Sequence, residues 1–160
     1  MIRVVSGKRG KTTMGTLTLL SVVCICTVLV CGCPQQKLIR QEAMSGDGKQ
    51  IVVELLMPKD AFEYIKKNKD NNNFVLLDIR TPEEFADGHI EGAININFRA
   101  DNFTSEMSKL DRNKTYFVYC RTGNRSYEAV NIMARLNFRS ILRLSDDITG
   151  WKSAGLPVVK

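Results

Sequence analysis

Thr115-Tyr116-Phe117-Val118-Tyr119-Cys120-Arg121-Thr122-Gly123-Asn124-Arg125-Ser126 is the stretch on which the fold turns. Its first five residues are aromatic or β-branched with hardly a polar break, the pattern of a strand covered on both faces. The strand stops at Cys120. Gly123-Asn124 then makes a turn, and beyond it Ala129, Val130, Met133 and Ala134 recur at helical spacing, so an amphipathic helix follows and Asn137 ends it. A buried strand leading through a short glycine-containing loop into a helix is one half of a βαβ unit.

The same alternation continues on both sides. Upstream, Ile51–Glu54 is a short candidate strand, and Pro58–Lys67 is a helix with Ala61, Phe62 and Ile65 on one face. Asn71-Asn72-Asn73 breaks the chain, and the apolar run Phe74-Val75-Leu76-Leu77 is the next strand, ending at Asp78. Thr81-Pro82-Glu83-Glu84 has the N-cap, first-turn proline and third-position glutamate that open a helix, and Gly88 closes it. Ala93–Ile96 is a further strand, Asn102–Leu110 a weaker helix, and Asp111-Arg112-Asn113-Lys114 turns the chain into Thr115. Downstream, Ile141–Leu144 is the last strand and Ile148-Thr149-Gly150-Trp151 a last turn or helix. Alternating strands and helices predict an α/β fold, with a mainly parallel sheet of about five strands and helices on both faces. Such sheets bind ligands outside the carboxyl ends of their strands, which puts Asp78, Cys120 and Ser145 to Asp147 on one rim.

The first 32 residues have a different character. The formal charge of +6 invites a nucleic-acid reading. However, Arg3, Lys8, Arg9 and Lys11 supply four of the 23 basic residues there with no acid, leaving 19 against 17 in the remainder. No basic run or interleaving of aromatic and basic residues survives to suggest a nucleic-acid footprint, so nucleic acid is not an expected partner. Between Lys11 and Lys37 no residue is charged, and Met14–Cys33 is mostly apolar, which predicts an export segment with a basic start. Its end, Val30-Cys31-Gly32-Cys33, resembles a bacterial lipobox, with Cys33 as the acylated residue and Cys31 a less usual residue at the middle position. The alternative is an uncleaved membrane anchor, since the run approaches the length of a bilayer span. Both place the domain on a membrane facing outward, as a periplasmic or cell-surface protein. Three units follow: a signal over 1–32, a polar linker over 33–50 that ends in Ser-Gly-Asp-Gly, and a folded domain over 51–160.

Cys24, Cys26, Cys31 and Cys33 belong to the N-terminal segment, so Cys120 stands alone in the domain and no disulfide framework is expected. With His89 as the sole histidine, a zinc site of Cys/His type lacks ligands, and no metal site is expected. A thiol reacts as its thiolate, which a helix N-terminus and nearby cations favour. This loop offers both. Backbone N–H groups from Arg121 to Ser126 can curl into an anion-binding nest under the sulfur, the helix dipole adds partial positive charge, and Arg121 and Arg125 add whole charges. Gly123 allows the tight curl. Thr122, Asn124 and Ser126 complete the bowl, which suits an anionic sulfur species.

That loop, together with Asp78-Ile79-Arg80, Gly88-His89-Ile90-Glu91-Gly92-Ala93-Ile94-Asn95, Gly150-Trp151 and Ala154-Gly155-Leu156-Pro157-Val158, resembles the single-domain rhodanese family over residues 51–160. The resemblance implies a rhodanese-like fold and sulfur transfer without a cofactor. The Cys120 thiolate would attack the outer sulfur of a donor such as thiosulfate or a protein persulfide, sulfite would depart from thiosulfate, and the Cys120 persulfide would pass its sulfur to a thiol or other nucleophilic acceptor. Loop amides would stabilise charge on sulfur as an oxyanion hole does on oxygen. A lone thiol outside the cytoplasm would need protection in the bowl or a reducing partner.

Several residues carry structural readings beside functional ones. Arg125 either contacts the donor or ties the loop to a carboxylate such as Asp78. Arg121 either attracts substrate or is simply solvated. Asp78 and Arg80 are read as pinning the loop after their strand. His89 is read as part of a structural turn rather than as a base for Cys120, and Trp151 as core. The chain departs from the family at Asp146-Asp147, where Gly-Gly is common. Carboxylates facing the bowl would repel thiosulfate and favour a cationic, neutral or protein-borne partner. Two other functions are weighed. A phosphatase or arsenate reductase of this fold uses Cys-x5-Arg, whereas Cys120 and Arg125 enclose four residues. A non-catalytic binding module usually lacks the cysteine.

Overall fold

The computed structural model describes residues 39–160. The signal over 1–32 and the acylated Cys33 therefore lie outside the described residues. Eleven elements follow in order: β1 Ile39–Met44, β2 Gln50–Leu56, α1 Pro58–Asn68, β3 Phe74–Asp78, α2 Pro82–Ala86, β4 Ile94–Asn95, α3 Phe103–Ser108, β5 Thr115–Tyr119, α4 Asn124–Arg135, β6 Ser140–Leu144 and α5 Asp147–Ser153. They build a six-stranded sheet in the order β1-β2-β6-β5-β3-β4, parallel throughout except for the antiparallel β1–β2 hairpin. The α/β architecture matches the sequence expectation, with one strand more than the five anticipated.

The sixth strand corrects the domain boundary. Residues 33–50 read as a polar linker, yet Ile39–Met44 pairs along its whole length with Gln50–Leu55, and Ser-Gly-Asp-Gly is the hairpin turn. In that turn the Ser45 carbonyl accepts from Gly48 N at 3.0 Å, and Gly48 has φ 82°. Gln41 and Ala43 point inward while Arg40, Glu42 and Met44 are exposed. The alternation is that of a strand, but a polar and a small residue occupy the inner positions, so no apolar run marks it. Gln41 is anchored twice: its amide donates to the Tyr127 carbonyl at 3.3 Å, and its Oε1 accepts from Arg143 at 2.7 Å.

Period-two alternation in β5 sorts the core into two layers. Tyr116, Val118 and then Cys120 face α3 and α4 with Leu77, Ala129, Val130 and Met133. Phe117 and Tyr119 face α1 and α5 with Leu76, Ala61, Leu144 and Trp151. Two helix ends follow their sequence signals closely. Thr81 caps α2, its hydroxyl accepting from Glu84 N while the Glu84 carboxylate accepts from Thr81 N. Asn137, at φ 65°, closes α4 in a Schellman turn, with Phe138 N donating to the Met133 carbonyl at 3.1 Å and Asn137 N to Ala134 at 2.8 Å. α3 is shorter than the expected 102–110, ending at Ser108.

Because Gln41 of β1 accepts from Arg143 Nη1 and β1 covers the edge of β2, a chain starting at Ile51 strips its remaining side-chain hydrogen bond from a half-buried guanidinium whose Nε already has no partner. Its unfolding free energy in urea is expected to fall by about 1–3 kcal/mol relative to a chain that keeps β1. Equal midpoints would show that β1 adds nothing to the domain.

Candidate active site

β3, β5 and β6 all end at one rim, and the loop from Cys120 to Ser126 crosses it. Cys120 continues the inward-facing series of β5, so the residue is 1% exposed and its sulfur lies beneath the loop. Sγ accepts from Gly123 N at 3.2 Å. Gly123 reaches this position at φ 103°, a left-handed conformation that costs other residues free energy, and from there it starts α4. Ser126 is buried one turn on, its hydroxyl donating to the Gly123 carbonyl at 3.0 Å. Arg121, Thr122 and Asn124 are exposed on the loop's outer side. From below, Ile148 N donates to the Cys120 carbonyl at 3.2 Å, and Thr149 donates to the Arg121 carbonyl through N at 3.3 Å and Oγ1 at 2.7 Å. The loop is thus fixed at backbone level on both sides of Cys120.

The arginines divide by partner. Arg125 is held bidentately by Glu84, at 2.7 and 2.9 Å, rather than by Asp78. This hydrogen bonding to Arg125 outweighs partial burial and draws the Glu84 carboxyl down to about 2. Glu84 foremost, with a smaller contribution from Cys120, holds Arg125 in its charged form. Asp78 and Arg80 form a buried pair of their own, with Nη2 to Oδ2 at 2.6 Å, and Arg80 also donates to the Gly88 carbonyl at 2.8 Å. The Arg80 guanidinium stands 5.9 Å from the centre of the Tyr119 ring. Burial, assisted by Asp78, pushes the Tyr119 hydroxyl far up, so it stays neutral and accepts Ile90 N–H at 3.1 Å. Asp78 and Arg80 therefore tie the end of β3 to the Gly88 carbonyl. His89 stacks on Phe85 with ring centres 3.7 Å apart, its Nδ1 lies 3.1 Å from the Phe85 carbonyl, and its backbone pairs with Val159. It is part of a structural turn.

Two hollows flank the loop and share Glu84 and Arg121. One, of 470 Å³, is also lined by Thr81, Arg99, Thr122, Asn124 and Arg125. The other, of 480 Å³, adds Arg80, Asp87, Ile148, Thr149, Lys152 and Ser153. Arg99 and Lys152, both exposed, join Arg121 as cations at this mouth. No sequence signal places Glu84, Arg99, Thr149 and Lys152 beside Cys120. Glu84 was visible only as a capping residue, and the others lie far from Cys120 in sequence with no motif to mark them. A larger hollow of 670 Å³ lies at the opposite ends of β5 and β6, around Ser45, Asp47, Arg112 and Arg139, away from the cysteine.

Asp146 and Asp147 do not behave alike. Asp146 is exposed. Asp147 is fully buried under the loop, its Oδ1 accepting from Cys120 N and its Oδ2 from Ser126 Oγ at 3.2 Å. Burial raises its pKa against the opposing influence of the Cys120 amide and thiol, Ser126 and Arg143.

The Rhodanese-like domain family model matches residues 61–154. A protein named "Sulfurtransferase" from Allochromatium vinosum is 33% identical over 90 residues, which is 56% of this chain and 82% of that one. Thiosulfate sulfurtransferase PspE of Escherichia coli is 30% identical over 84 residues, 52% of this chain and 77% of that one. The crystal structure of a rhodanese-related protein from Thermoplasma volcanium superposes with a TM-score of 0.55 at 33% identity, covering 65% of this chain and 95% of that one.

The Glu84–Arg125 pair gives the loop a defined acid sensitivity. The Glu84 carboxyl is depressed in the folded state, so its stabilisation is full above its ordinary value and is lost as pH falls toward about 2. Glu84→Gln is expected to cost about 1 kcal/mol near neutrality, a small figure because the pair is partly solvated. The difference from the parent should shrink below about pH 4 in acid-titrated denaturation curves. A cost unchanged down to acid pH would assign the effect to packing instead.

Proposed function

The chain belongs to the rhodanese-like domain family, and from that premise we propose that it is an extracytoplasmic sulfurtransferase that carries sulfane sulfur on Cys120. The observation that bears most weight is the sulfur itself: a single cysteine at the end of the central strand, its Sγ met by the Gly123 N–H in a loop ringed by cations. The donor is a small sulfane-sulfur compound such as thiosulfate, or a protein persulfide. The acceptor is a thiol or another thiophilic nucleophile.

The Cys120 thiolate attacks the outer sulfur of thiosulfate, forming a new S–S bond, and the old S–S bond breaks with its electron pair leaving on sulfite. The anionic persulfide that remains is stabilised by the loop amides and by the nearby charge of Arg125. Arg99, Arg121 and Lys152 draw the anionic donor to the mouth. An acceptor nucleophile then attacks the outer sulfur and returns Cys120 as thiolate. Burial of Cys120 protects a persulfide that oxidises readily when exposed, which suits an oxidising compartment. The four residues between Cys120 and Arg125, with Arg125 committed to Glu84, disfavour the tetrahedral oxyanion cradle of a phosphatase. Cys33 tethers the domain to the outer face of a membrane through an attached lipid.

Incubating the full chain in detergent with thiosulfate should add the mass of one sulfur at Cys120, and cyanide should then release thiocyanate. Cys120→Ser is expected to abolish both. An unchanged mass with every sulfane donor tried, in a normally folded protein, would leave a binding module as the better account.

The tether has its own test, because Cys33→Ala should abolish labelling by a radioactive fatty acid in a bacterial host. Labelling that persists would refute lipidation at Cys33.

A further inference from the structure

Asp146 and Asp147 both occupy the left-handed region, at φ 57° and 51°. Aspartate tolerates this region less readily than glycine, and a pair of glycines would sit there without strain. The strain at Asp147 places a fully buried carboxylate directly beneath the nucleophile. Its Oδ1 takes the N–H of Cys120, and its Oδ2 takes the Ser126 hydroxyl at 3.2 Å. A Cβ built on Gly123 would come within 3.4 Å of Oδ2, so the carboxylate also lies against the residue whose N–H meets the sulfur. One loop amide that could face an incoming anion is thus spent on a fixed internal one.

We propose that Asp147 is a specificity-determining residue that discriminates between donors by their net negative charge, favouring monoanionic over dianionic sulfane donors. This rests on the sulfurtransfer reading above. When Cys120 thiolate attacks thiosulfate, one negative charge meets two, and all three stand above the Asp147 carboxylate until sulfite departs. With methanethiosulfonate the same bond forms, the same kind of S–S bond breaks, and methanesulfinate leaves, but one charge fewer is gathered. Repulsion between the carboxylate and the donor acts through protein rather than water, so it is weakly screened. Arg99, Arg121 and Lys152 lie in or beside solvent at the mouth and offset it less effectively.

The groups acting on Asp147 are few. Cys120 faces it from the end of β5 with its amide and thiol, α4 contributes the neutral Ser126, and β6 contributes Arg143, whose cationic charge opposes the effect of burial. Arg143 is itself occupied with Gln41 at 2.7 Å and stacks 5.8 Å from the Tyr127 ring centre. Burial makes Asp147 take up its proton at a higher pH than an ordinary carboxyl, after which the discrimination against a dianion lapses.

The test is the ratio of kcat/KM for methanethiosulfonate to that for thiosulfate, measured on the full chain in detergent with cyanide as acceptor. Ionisation of Cys120 affects both donors alike and cancels in the ratio. In Asp147→Asn, which keeps an acceptor for Cys120 N–H, the ratio is expected to fall about tenfold, through a rise in kcat/KM for thiosulfate. In the parent the ratio should fall as pH is lowered to where Asp147 takes up its proton, which burial sets above the range of an ordinary carboxyl, and in Asp147→Asn it should stay flat. If the variant does not fold, the pH profile of the parent decides alone. A ratio that is flat with pH in the parent, or unmoved by the substitution, overturns the assignment while leaving sulfurtransfer intact. Failure of both donors to persulfidate Cys120 overturns both.

Discussion

The site depends on β5 lying at the centre of a parallel sheet with both faces buried. Tyr116, Val118 and Cys120 must point to the α4 side if Phe117 and Tyr119 are to fill the α1 and α5 side. A slip of one residue would exchange the two sets and turn the thiol away from the loop that serves it. Neighbouring strands fix that register, with Asp78 of β3 beside Tyr119 and Arg143 of β6 beside Val118. Tyr119 passes the constraint on, since its hydroxyl holds Ile90 and its ring lies beside the Arg80 guanidinium that binds the Gly88 carbonyl. The placement of the nucleophile is thus a consequence of core packing before any charge is considered.

Charge is then distributed according to burial. Arg80 and Arg125 are drawn into the protein and each has a carboxylate of its own, Asp78 and Glu84, because a guanidinium removed from water without a partner is costly. Arg99, Arg121 and Lys152 remain in water, where charge is inexpensive to maintain and free to attract an anion. The same loop therefore carries one arginine paired within the protein and one left in water. The two differ in exposure rather than in chemistry.

This division explains what could and could not be read from the chain. The buried strands Phe74–Asp78 and Thr115–Tyr119 were legible because covered parallel strands are continuous apolar runs, and α2 because its capping box is local. β1 was not, since polar Gln41 and small Ala43 point inward in place of large apolar residues, and Gln41 is justified only by Tyr127 and Arg143, which are distant in sequence. Cys120 and its loop were evident from contiguous residues. The partner of Arg125 was not, because Glu84 is brought to it by the pairing of β3 with β5. Asp147 stood out as a departure from a glycine pair, but only its three-dimensional position separates it from Asp146, with one carboxylate under the nucleophile and the other in solvent.

The burial of Cys120, which at first sight argues against reactivity, fits a carrier better than it fits a simple nucleophile. Once loaded, Sγ becomes the inner atom of an S–S bond, and the atom offered to an acceptor is the outer sulfur, about 2 Å further along the chain of bonds. The inner sulfur can keep its contact with Gly123 N, and the loop held by Ile148 and Thr149 need not come apart for the outer one to meet the remaining amides. In the proposed cycle a pocket built this way would exclude water and oxidant from Sγ and expose only the transferred sulfur. On the proposed reading Asp147 limits the arrangement from below, because each charge a donor brings is brought against a carboxylate fixed by the Cys120 N–H and the Ser126 hydroxyl.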